Sequence, residues 1–361
     1  MKSVIRNLCL GIVCVVGVIS CAQTESSLMN ENESEGIAVI PEVYQTTRDT
    51  LNNVDTPAIW HHPNGEAWLL ATAKETDVVL VYNASTGERI DIFAEPGTGI
   101  GQLERPNSIT VVDNLAVIVE RDNHRIQVFT LPDFQSLGYF GQDELIYPYG
   151  ISILKNADSS YRLFVTDNYE TEDEQVPADS LLDRRVHEFS FSVLGGELES
   201  RHVKAFGETT GDGILKTVES LMADADYNRL LIADEDTTEM NLKVYDLEGN
   251  FTGEIVGSGI FKYEPEGVAL YSCANGSGYW VTTDQSESDN TFYVFDRESL
   301  KLLSVFKNPK TTNTDGIVIT QKSFSNFPGG GFFPIHNDGN VSAVSWATIA
   351  DELGLETCLM E

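Results

Sequence analysis

The stretch Gly267-Val268-Ala269-Leu270, a small residue followed by a short apolar run, is one of six similar stretches along this chain of 361 residues. The six stretches are Ala58-Ile59-Trp60, Ser108-Ile109-Thr110-Val111, Gly150-Ile151-Ser152-Ile153, Ser220-Leu221-Met222, Gly267-Val268-Ala269-Leu270 and Gly316-Ile317-Val318-Ile319. A unit that recurs every 40 to 50 residues or so is typical of propeller repeats. The spacing therefore predicts six equivalent units.

Each unit continues with further strand patterns. Strongly apolar second segments lie at residues 68–72, 115–119, 162–166, 229–233, 279–283 and 331–335. Third segments that alternate with period two lie at residues 78–82, 125–129, 187–191, 242–245, 291–295 and 343–346, and weaker fourth segments include 89–93, 251–256 and 302–306. Four short strands per unit with turn residues between them define a propeller blade. The sequence predicts an all-β, six-bladed β-propeller with four-stranded antiparallel blades, and excludes a repeated helix pair.

Three segments depart from the repeat. Residues 168–185 interrupt the third unit and are dense in Asp and Glu, which predicts a long loop on one rim. Residues 346–353 show a short helical pattern after the third strand of the last unit. That unit then lacks an outer strand of its own, and the apolar segment at residues 37–45 is available to supply it and close the ring.

The chain is strongly acidic, with 56 Asp and Glu against 23 Lys and Arg and a formal net charge of −33. Such a charge repels nucleic acid, so nucleic-acid binding is not expected. Two interpretations of the acidity remain open at this point. It either serves solubility outside the cell or is partly neutralised by bound cations.

The N-terminus has the pattern of a secretory signal. Lys2 and Arg6 precede an apolar run at residues 8–19 that is too short for an ordinary membrane span. The run ends in Val18-Ile19-Ser20-Cys21, which resembles the lipobox of bacterial lipoproteins and implies that Cys21 is lipidated and becomes the mature N-terminus. The alternative is an ordinary signal peptide with an incidental cysteine.

The domain prediction follows from these segments. Residues 1–20 form the lipoprotein signal peptide, residues 21–45 the lipid anchor and flexible tether, and residues 46–361 the propeller. The expected location is exported and membrane-anchored through Cys21, on the periplasmic or cell-surface side, and a monomer is expected. Cys273 and Cys358 allow at most one disulfide in the folded part, and the sequence leaves open whether it forms.

A first ring of carboxylates is predicted at the channel. The first strand of each blade lines a propeller's channel, so residues just before the six small starters should converge at one end. Those residues are Pro57, Asn107, Tyr149, Glu219, Glu266 and Asp315, with Asp55 and Glu264 close by. Hard oxygen ligands from several elements favour calcium over zinc, which prefers His or Cys.

A second ring is predicted where the second strands return to the same face. Its members are Lys74, Glu120, Arg121, Asp167, Asp234, Glu235, Asp236, Asp284 and Asp338. Lys74 and Arg121 beside a calcium cluster suit phosphate groups, because Arg holds two phosphate oxygens at once. The alternative is that both cations simply pair with neighbouring carboxylates.

The stretch Asp55-Thr56-Pro57-Ala58-Ile59-Trp60 resembles the Asp-Asp-Pro-Ala-Ile-Trp opening of β-propeller phytases. The likeness continues through Lys74, Arg105-Pro106-Asn107, Arg121, Tyr149-Gly150, Glu219, Ile232-Ala233-Asp234-Glu235-Asp236, Glu264-Pro265-Glu266-Gly267, Asp315-Gly316 and Asn337-Asp338-Gly339-Asn340, and covers nearly all of residues 46–358. In that family, calcium ions held by acidic residues of the channel face bind the phosphates of inositol hexakisphosphate (phytate) and activate water for phosphomonoester hydrolysis.

The resemblance implies specific roles. Several calcium ions would be held by Asp55, Glu219, Glu235, Glu264, Glu266, Asp315 and Asp338. Lys74, Arg121 and Tyr149 would bind substrate, and Glu235, Lys74 and Arg121 would be catalytic, in a phytase-like phosphoric monoester hydrolase of the 3-phytase kind acting on phytate or a related organic phosphate. Three departures are evident. Thr56 replaces a second Asp, Glu264 replaces an Asp, and a lysine after the second strand of the third blade is not evident.

Two other functions are kept open. A non-catalytic calcium-binding propeller that binds a phosphorylated ligand or a protein partner would fit Thr56 and the missing lysine. A sugar-lactonase-like hydrolase is suggested by Gly101-Gln102-Leu103-Glu104-Arg105-Pro106 with Asp122-Asn123-His124-Arg125-Ile126, which resembles the NHL propeller repeat in one blade. The expected partners are phytate or another organic phosphate, and a bacterial membrane through lipidated Cys21.

Overall fold

The computed structural model describes residues 36–358. Within them the predicted all-β fold is confirmed, as six sheets of antiparallel strands follow one another around a six-bladed β-propeller. The predicted signal peptide, Cys21 and most of the predicted tether lie outside the described residues. Among residues 36–358, no helix has the length and apolar character needed to cross a membrane.

The strands follow the chain blade by blade. Two short strands come first, β1 (Ala38–Val39) and β2 (Tyr44–Gln45). Blade 1 contains β3 (Val54–His61), β4 (Ala67–Ala73), β5 (Val78–Asn83) and β6 (Arg89–Phe93), and is followed by the short parallel pair β7 (Glu95–Pro96) and β8 (Gln102–Leu103). Blade 2 contains β9 (Pro106–Val112), β10 (Leu115–Glu120), β11 (Arg125–Thr130) and β12 (Ser136–Phe140). Blade 3 contains β13 (Pro148–Lys155), β14 (Tyr161–Asp167), β15 (Val186–Leu194) and β16 (Glu197–Phe206).

The second half of the ring repeats this order. Blade 4 contains β17 (Val218–Asp224), β18 (Arg229–Asp234), β19 (Asn241–Tyr245) and β20 (Phe251–Val256). Blade 5 contains β21 (Glu264–Ser272), β22 (Gly278–Gln285), β23 (Thr291–Asp296) and β24 (Leu302–Lys307). Blade 6 contains β25 (Ile317–Thr320), β26 (Gly331–His336) and β27 (Asn340–Ser345), and helix α1 (Trp346–Leu353) follows at the predicted position.

The core lies between neighbouring blades. Every residue of β10 is buried, whereas four of the five residues of the outer strand β6 are exposed. The reason is that both faces of an inner strand are covered by adjacent sheets, so inner strands read as continuous apolar runs. The weak pattern of the outer strands in the sequence has the same cause.

The N-terminal segment closes the ring as predicted. Strand β2 pairs antiparallel with β27, with Tyr44 opposite Ala343, and so becomes the outer strand of blade 6. Strand β1 was not predicted, and it pairs parallel with β24 as a fifth strand of blade 5. The Tyr44 hydroxyl also donates to Ala84 O of blade 1 at 2.6 Å. The folded unit therefore begins at Ala38, before the boundary at residue 46 in the domain prediction.

The C-terminal segment is fixed to blade 5. Cys273 and Cys358 form a disulfide, which answers the question that the sequence left open. Trp346 at the start of α1 is fully buried and stacks on Tyr271, with ring centroids 4.3 Å apart. Both ends of the folded unit thus meet on blades 5 and 6.

The insertion at residues 168–185 is the predicted long loop, and it contains a short 3-10 helix (Asp179–Leu181). Its end is anchored by Arg185, a fully buried guanidinium that donates to Tyr169 O at 2.7 Å and to Asp167 O at 3.1 Å. Because β14 ends at the channel face where the first strands begin, the insertion rises from that face.

Candidate functional site at the channel mouth

A β-bulge interrupts the pairing of the first and second strands at the same point in five blades. In each of these blades the bulge begins one or two residues into the first strand. The first residues of the five bulges are Asp55, Asn107, Tyr149, Glu219 and Glu266. A bulge bends its strand and redirects a side chain, and bulges are common beside functional sites. The sixth member is Asp315, two residues before β25. These six residues line the mouth of the central channel, a cavity of about 280 Å3.

The equivalence predicted for blade 1 was wrong by two residues. Val54 pairs with Ala73 as Val218 pairs with Asp234, so Asp55 is the counterpart of Glu219 and Pro57 is not. Ala58 precedes an apolar run as the small starters of the other blades do, although it lies two residues beyond the equivalent position, Thr56. The ring therefore contains four carboxylates.

Small residues follow the ring positions because the next blade approaches closely there. Gly267 N donates to Asp315 O at 3.0 Å, and Gly316 N donates to Asp55 O at 3.0 Å. A Cβ atom on Gly267 would lie 2.6 Å from Asp315 O, and one on Gly316 would lie 2.6 Å from Asp55 O. These two glycines thus fix the backbone of Asp315 and Asp55 in the neighbouring blades.

An outer ring lies one residue beyond the second strands. The backbone N–H groups of Lys74, Arg121, Asn168 and Glu235 each donate to the loop before the first strand, at 2.8 to 3.0 Å. These residues occupy equivalent positions around the mouth. Lys74, Arg121 and Glu235 of the expected second ring lie at these positions.

Other predicted members of the second ring have a structural role instead. Both oxygens of Asp167 accept backbone N–H groups, from Ile146 at 2.9 Å and Tyr147 at 2.7 Å, and Asp234 and Asp284 are held in the same way. Glu120 is fully buried against Arg125. Adjacent residues at a strand end point to opposite sides, and composition alone did not separate them.

Three carboxylates converge in the mouth. One oxygen each from Glu219, Glu235 and Glu266 lies within 4.8 Å of the others. Burial, with the charges of Asp55 and Glu264, raises the pKa of Glu219 to about 7 against the opposing effect of Lys74. Burial and mutual repulsion also raise the pKa values of Glu235 and Glu266 well above the ordinary value.

This cluster fits a hard cation. Within residues 36–358, the buried Glu235 Oε1 has no hydrogen-bond partner. Buried carboxylates without partners repel one another unless they are protonated or share a cation. An all-oxygen donor set from three elements matches calcium rather than a transition metal.

The other side of the mouth contains an internal cation. Lys74 forms an ion pair with Asp55, and both side chains are nearly buried. Burial lowers the pKa of Lys74, but the charges of Asp55, Asp315 and Glu219 outweigh burial, so that this pKa is raised. Burial and the Asp55 charge raise the pKa of Asp315, with Lys74 opposing them.

Arg121 is oriented by three neighbours. Its Nε donates to Asp122 Oδ1 at 2.7 Å, and its Nη1 donates to the Tyr149 hydroxyl at 3.4 Å. Its guanidinium also lies 5.5 Å from the ring centre of Tyr147. Burial and the Glu219 charge raise the pKa of Tyr149 to about 12. Tyr149 therefore remains a neutral hydroxyl beside the acidic cluster.

Glu264 and Asp338 lie at the edge of the site. Glu264 is exposed, begins β21 and acts electrostatically on Glu219 and Glu235. Asp338 lies in the turn between β26 and β27 and raises the pKa of Asp315. The seven predicted carboxylates thus occur at one end of the channel, and the three central glutamates form its tight group.

Two polar residues of the site were missed. Gln285 follows Asp284 at the end of β22, and its Nε2 donates to Asp315 Oδ1 at 3.1 Å. Asn168 occupies the third-blade position beyond β14, where its Oδ1 accepts the backbone N–H of Val218 at 3.2 Å. The available signal was their spacing, since each directly follows an Asp at or next to the end of a second strand, as Glu235 does.

The fold and the site define a six-bladed β-propeller with an acidic cluster at one channel mouth. The family model described as Phytase matches residues 195–357, a range that includes Glu219, Glu235, Glu264, Glu266, Asp315 and Asp338. This match and the six-bladed fold fit the β-propeller phytase family, and the match supports a phytase-like hydrolase role. Members of this family usually use calcium, for which the acidic cluster is the candidate site.

Two solved structures are also similar. One belongs to a nidogen/laminin complex, with 16% identity and a TM-score of 0.48, covering 73% of this chain and 84% of that chain. The other is a catalytically inactive virginiamycin B lyase from Staphylococcus aureus with quinupristin, with 11% identity and a TM-score of 0.47, covering 84% of this chain and 98% of that chain.

Proposed function

We propose that this protein is a calcium-dependent phosphomonoesterase that acts on phytate or a related organic phosphate at the channel mouth. The observation that carries the proposal is the convergence of Glu219, Glu235 and Glu266 beside two cationic side chains, Lys74 and Arg121. Carboxylates alone would repel a polyanion. A cation cluster between them and the two basic groups makes the same mouth attractive to phosphate.

The central glutamates would hold calcium through their oxygens, with Asp55, Asp315, Asp338 and Glu264 around them. Calcium bound there would supply positive charge for the phosphate oxygens and activate water for attack on phosphorus. Glu235 is the carboxylate assigned to catalysis. It belongs both to the central cluster and to the outer ring that presents Lys74 and Arg121.

Lys74 and Arg121 would orient the phosphate. Arg121 is already directed by Asp122 and Tyr149, so its planar donors are preorganised. Lys74 forms an ion pair with Asp55. If Asp55 bound a metal ion instead, the ammonium group of Lys74 would become free to contact a phosphate oxygen. Preorganised donors strengthen as negative charge develops on the equatorial oxygens during phosphoryl transfer.

Phosphate release from phytate by the mature protein tests this function. We expect release near neutral pH with calcium and none with a calcium chelator, since the unneutralised mouth repels the substrate. A Glu235→Gln variant should be inactive, whereas Glu197→Gln, an exposed glutamate of β16, should behave as the wild type. Absence of release from wild-type protein that demonstrably binds calcium would contradict the proposal.

A non-catalytic calcium-binding propeller is the second candidate. Two observations favour it. Thr56 presents a hydroxyl where β-propeller phytases have a carboxylate. Asn168 stands beyond the second strand of the third blade, where the family's lysine is not evident, and its side chain accepts a hydrogen bond from Val218 N. This candidate predicts calcium-dependent phytate binding without turnover. Calorimetric titration of phytate, followed by analysis of the same sample for free phosphate, distinguishes the two functions.

We also propose that the propeller is exported and anchored to a membrane through lipidated Cys21. The support is the sequence pattern of residues 1–21. An external phosphatase of this kind would act on organic phosphate outside the cytoplasm.

A further inference from the structure

We propose that Gln285 is a positioning residue of the channel-mouth site, where its amide fixes the carboxylate of Asp315 so that one oxygen stays free for a cation. The inference rests on the proposed function, because it assigns a role within the same cation site. Gln285 belongs to neither the acidic ring nor the set of cationic side chains.

The two oxygens of Asp315 have different environments. Gln285 Nε2 donates to Oδ1 at 3.1 Å. Within the described part of the chain, Oδ2 is buried and has no hydrogen-bond partner. A carboxylate that is held through one oxygen keeps a fixed orientation, and its second oxygen keeps its lone pairs available.

The backbone around both residues is held by a common set of hydrogen bonds. Asn290 Oδ1 accepts from Ser286 N at 3.3 Å and from Thr314 N at 3.0 Å. Asn313 N donates to Ser286 O at 2.8 Å. The residue after Gln285 is therefore joined to the two residues before Asp315, and the side-chain hydrogen bond forms between backbones that are already fixed.

The anchor before Gln285 adds to this rigidity. Asp284 accepts backbone N–H groups from Lys262 at 3.1 Å and Tyr263 at 2.8 Å. Gln285 follows it as Glu235 follows Asp234, so its side chain is directed to the mouth by the same local geometry. It lines a second cavity, of about 370 Å3, together with Glu235 and Glu264.

The choice of an amide has a physical reason. A cationic donor neutralises its carboxylate, as Lys74 does with Asp55, and competes with a metal ion for it. The neutral Gln285 amide orients Asp315 without adding a positive charge that would compete with a metal ion. Asp315 is thus prepared for a cation while Asp55 is engaged with an internal one.

The test is the calcium affinity of a Gln285→Met variant of the mature protein, measured by isothermal titration calorimetry. Methionine keeps the length of the side chain and removes its donor. We expect calcium affinity to fall by about 10- to 100-fold, the usual effect of losing a partner that orients a metal ligand. Gln175→Met makes the same change in the exposed insertion and should bind calcium as the wild type does.

Thermal unfolding separates positioning from a general structural role. With a calcium chelator present, the Gln285→Met variant should unfold close to the wild-type melting temperature. Calcium should raise the melting temperature of the variant less than it raises that of the wild type. If the variant's melting temperature were lowered equally with and without calcium, the inference would be overturned. Wild-type calcium affinity in the variant would also overturn it. Weakened calcium binding in a protein that never releases phosphate would support the inference and reject only the proposed activity. Failure of wild-type protein to bind calcium would reject both.

Discussion

Thr56 Oγ1 donates to Asp55 Oδ1 at 2.8 Å. In the β-propeller phytase opening that residues 55–60 resemble, a second Asp stands at this position. The same hydroxyl lies 2.9 Å from Asn107 O, so Thr56 connects blades 1 and 2 beside the cation site. A neutral hydroxyl reduces the negative charge next to Asp55. The hydroxyl thereby supplies a contact between the two blades.

Thr56→Asp should increase the dependence on calcium. When calcium is removed by a chelator, the new carboxylate repels Asp55, which has also lost the hydroxyl that donated to it. The melting temperature should therefore fall. With calcium the new carboxylate adds an oxygen ligand, so the calcium-induced rise in melting temperature and the rate of phosphate release should both exceed wild type. Thr56→Asn is the control, since it removes the hydroxyl without adding charge. If calcium raised the melting temperatures of Thr56→Asp and Thr56→Asn equally, Thr56 would not face the cation.

Arg121→Ala should slow phosphate release by weakening the transition state. The loss should be about 3 kcal/mol, on the order of 100-fold in kcat/KM, if its donors contact the developing charge. Arg89→Ala on the exposed outer strand of blade 1 is the matched control. Steady-state kinetics with phytate measure both, and a change in KM alone would indicate that Arg121 contributes only to initial binding.

Stability without calcium should decrease as pH rises from about 4.5 towards 7. The pKa of Glu219 is about 7 in the folded protein against an ordinary value of 4.5, so the folded state binds more protons in this interval. Its stabilisation is fully present below the lower value and is lost as pH rises through the higher one. Glu219→Gln should remove part of this pH dependence, as measured by urea unfolding in chelator at several pH values.

Calcium should reverse the loss of stability that ionised Glu219 causes near neutral pH. A cation bound by ionised Glu219 stabilises the folded state at neutral pH, where the unliganded cluster is least favourable. Glu197→Gln should leave both pH profiles unchanged. A wild-type profile that does not respond to calcium between pH 6 and 8 would contradict a cation site at Glu219.

Cys21→Ala should release the protein from membranes or block its processing. The expected reason is loss of the thiol that carries the lipid. Cys9→Ala, within the apolar run of the same leader, should leave processing and membrane fractionation unchanged. Persistence of the mature Cys21→Ala protein in the membrane fraction would exclude lipidation at this residue.

Much of the fold was predictable because inner strands are apolar throughout and turns separate them. The sequence did not resolve Asp55 from Pro57 as the ring residue of blade 1, since the small residue that precedes the apolar run there is Ala58 and not Thr56, the residue after Asp55. It also did not separate Asp234 from Glu235. The first binds backbone N–H groups and the second faces the mouth, and only the direction of each side chain distinguishes them.

The strands β1 and β2 have a mechanical consequence. They are the first elements of the folded unit, and they are paired with β24 of blade 5 and β27 of blade 6. Tension applied to the chain before Ala38 is therefore borne first by these two blades, which supply Glu266, Asp315 and Asp338 to the mouth. Peeling β2 from β27 would open the ring beside Asp338 before it strained the blades that supply Arg121 and Tyr149.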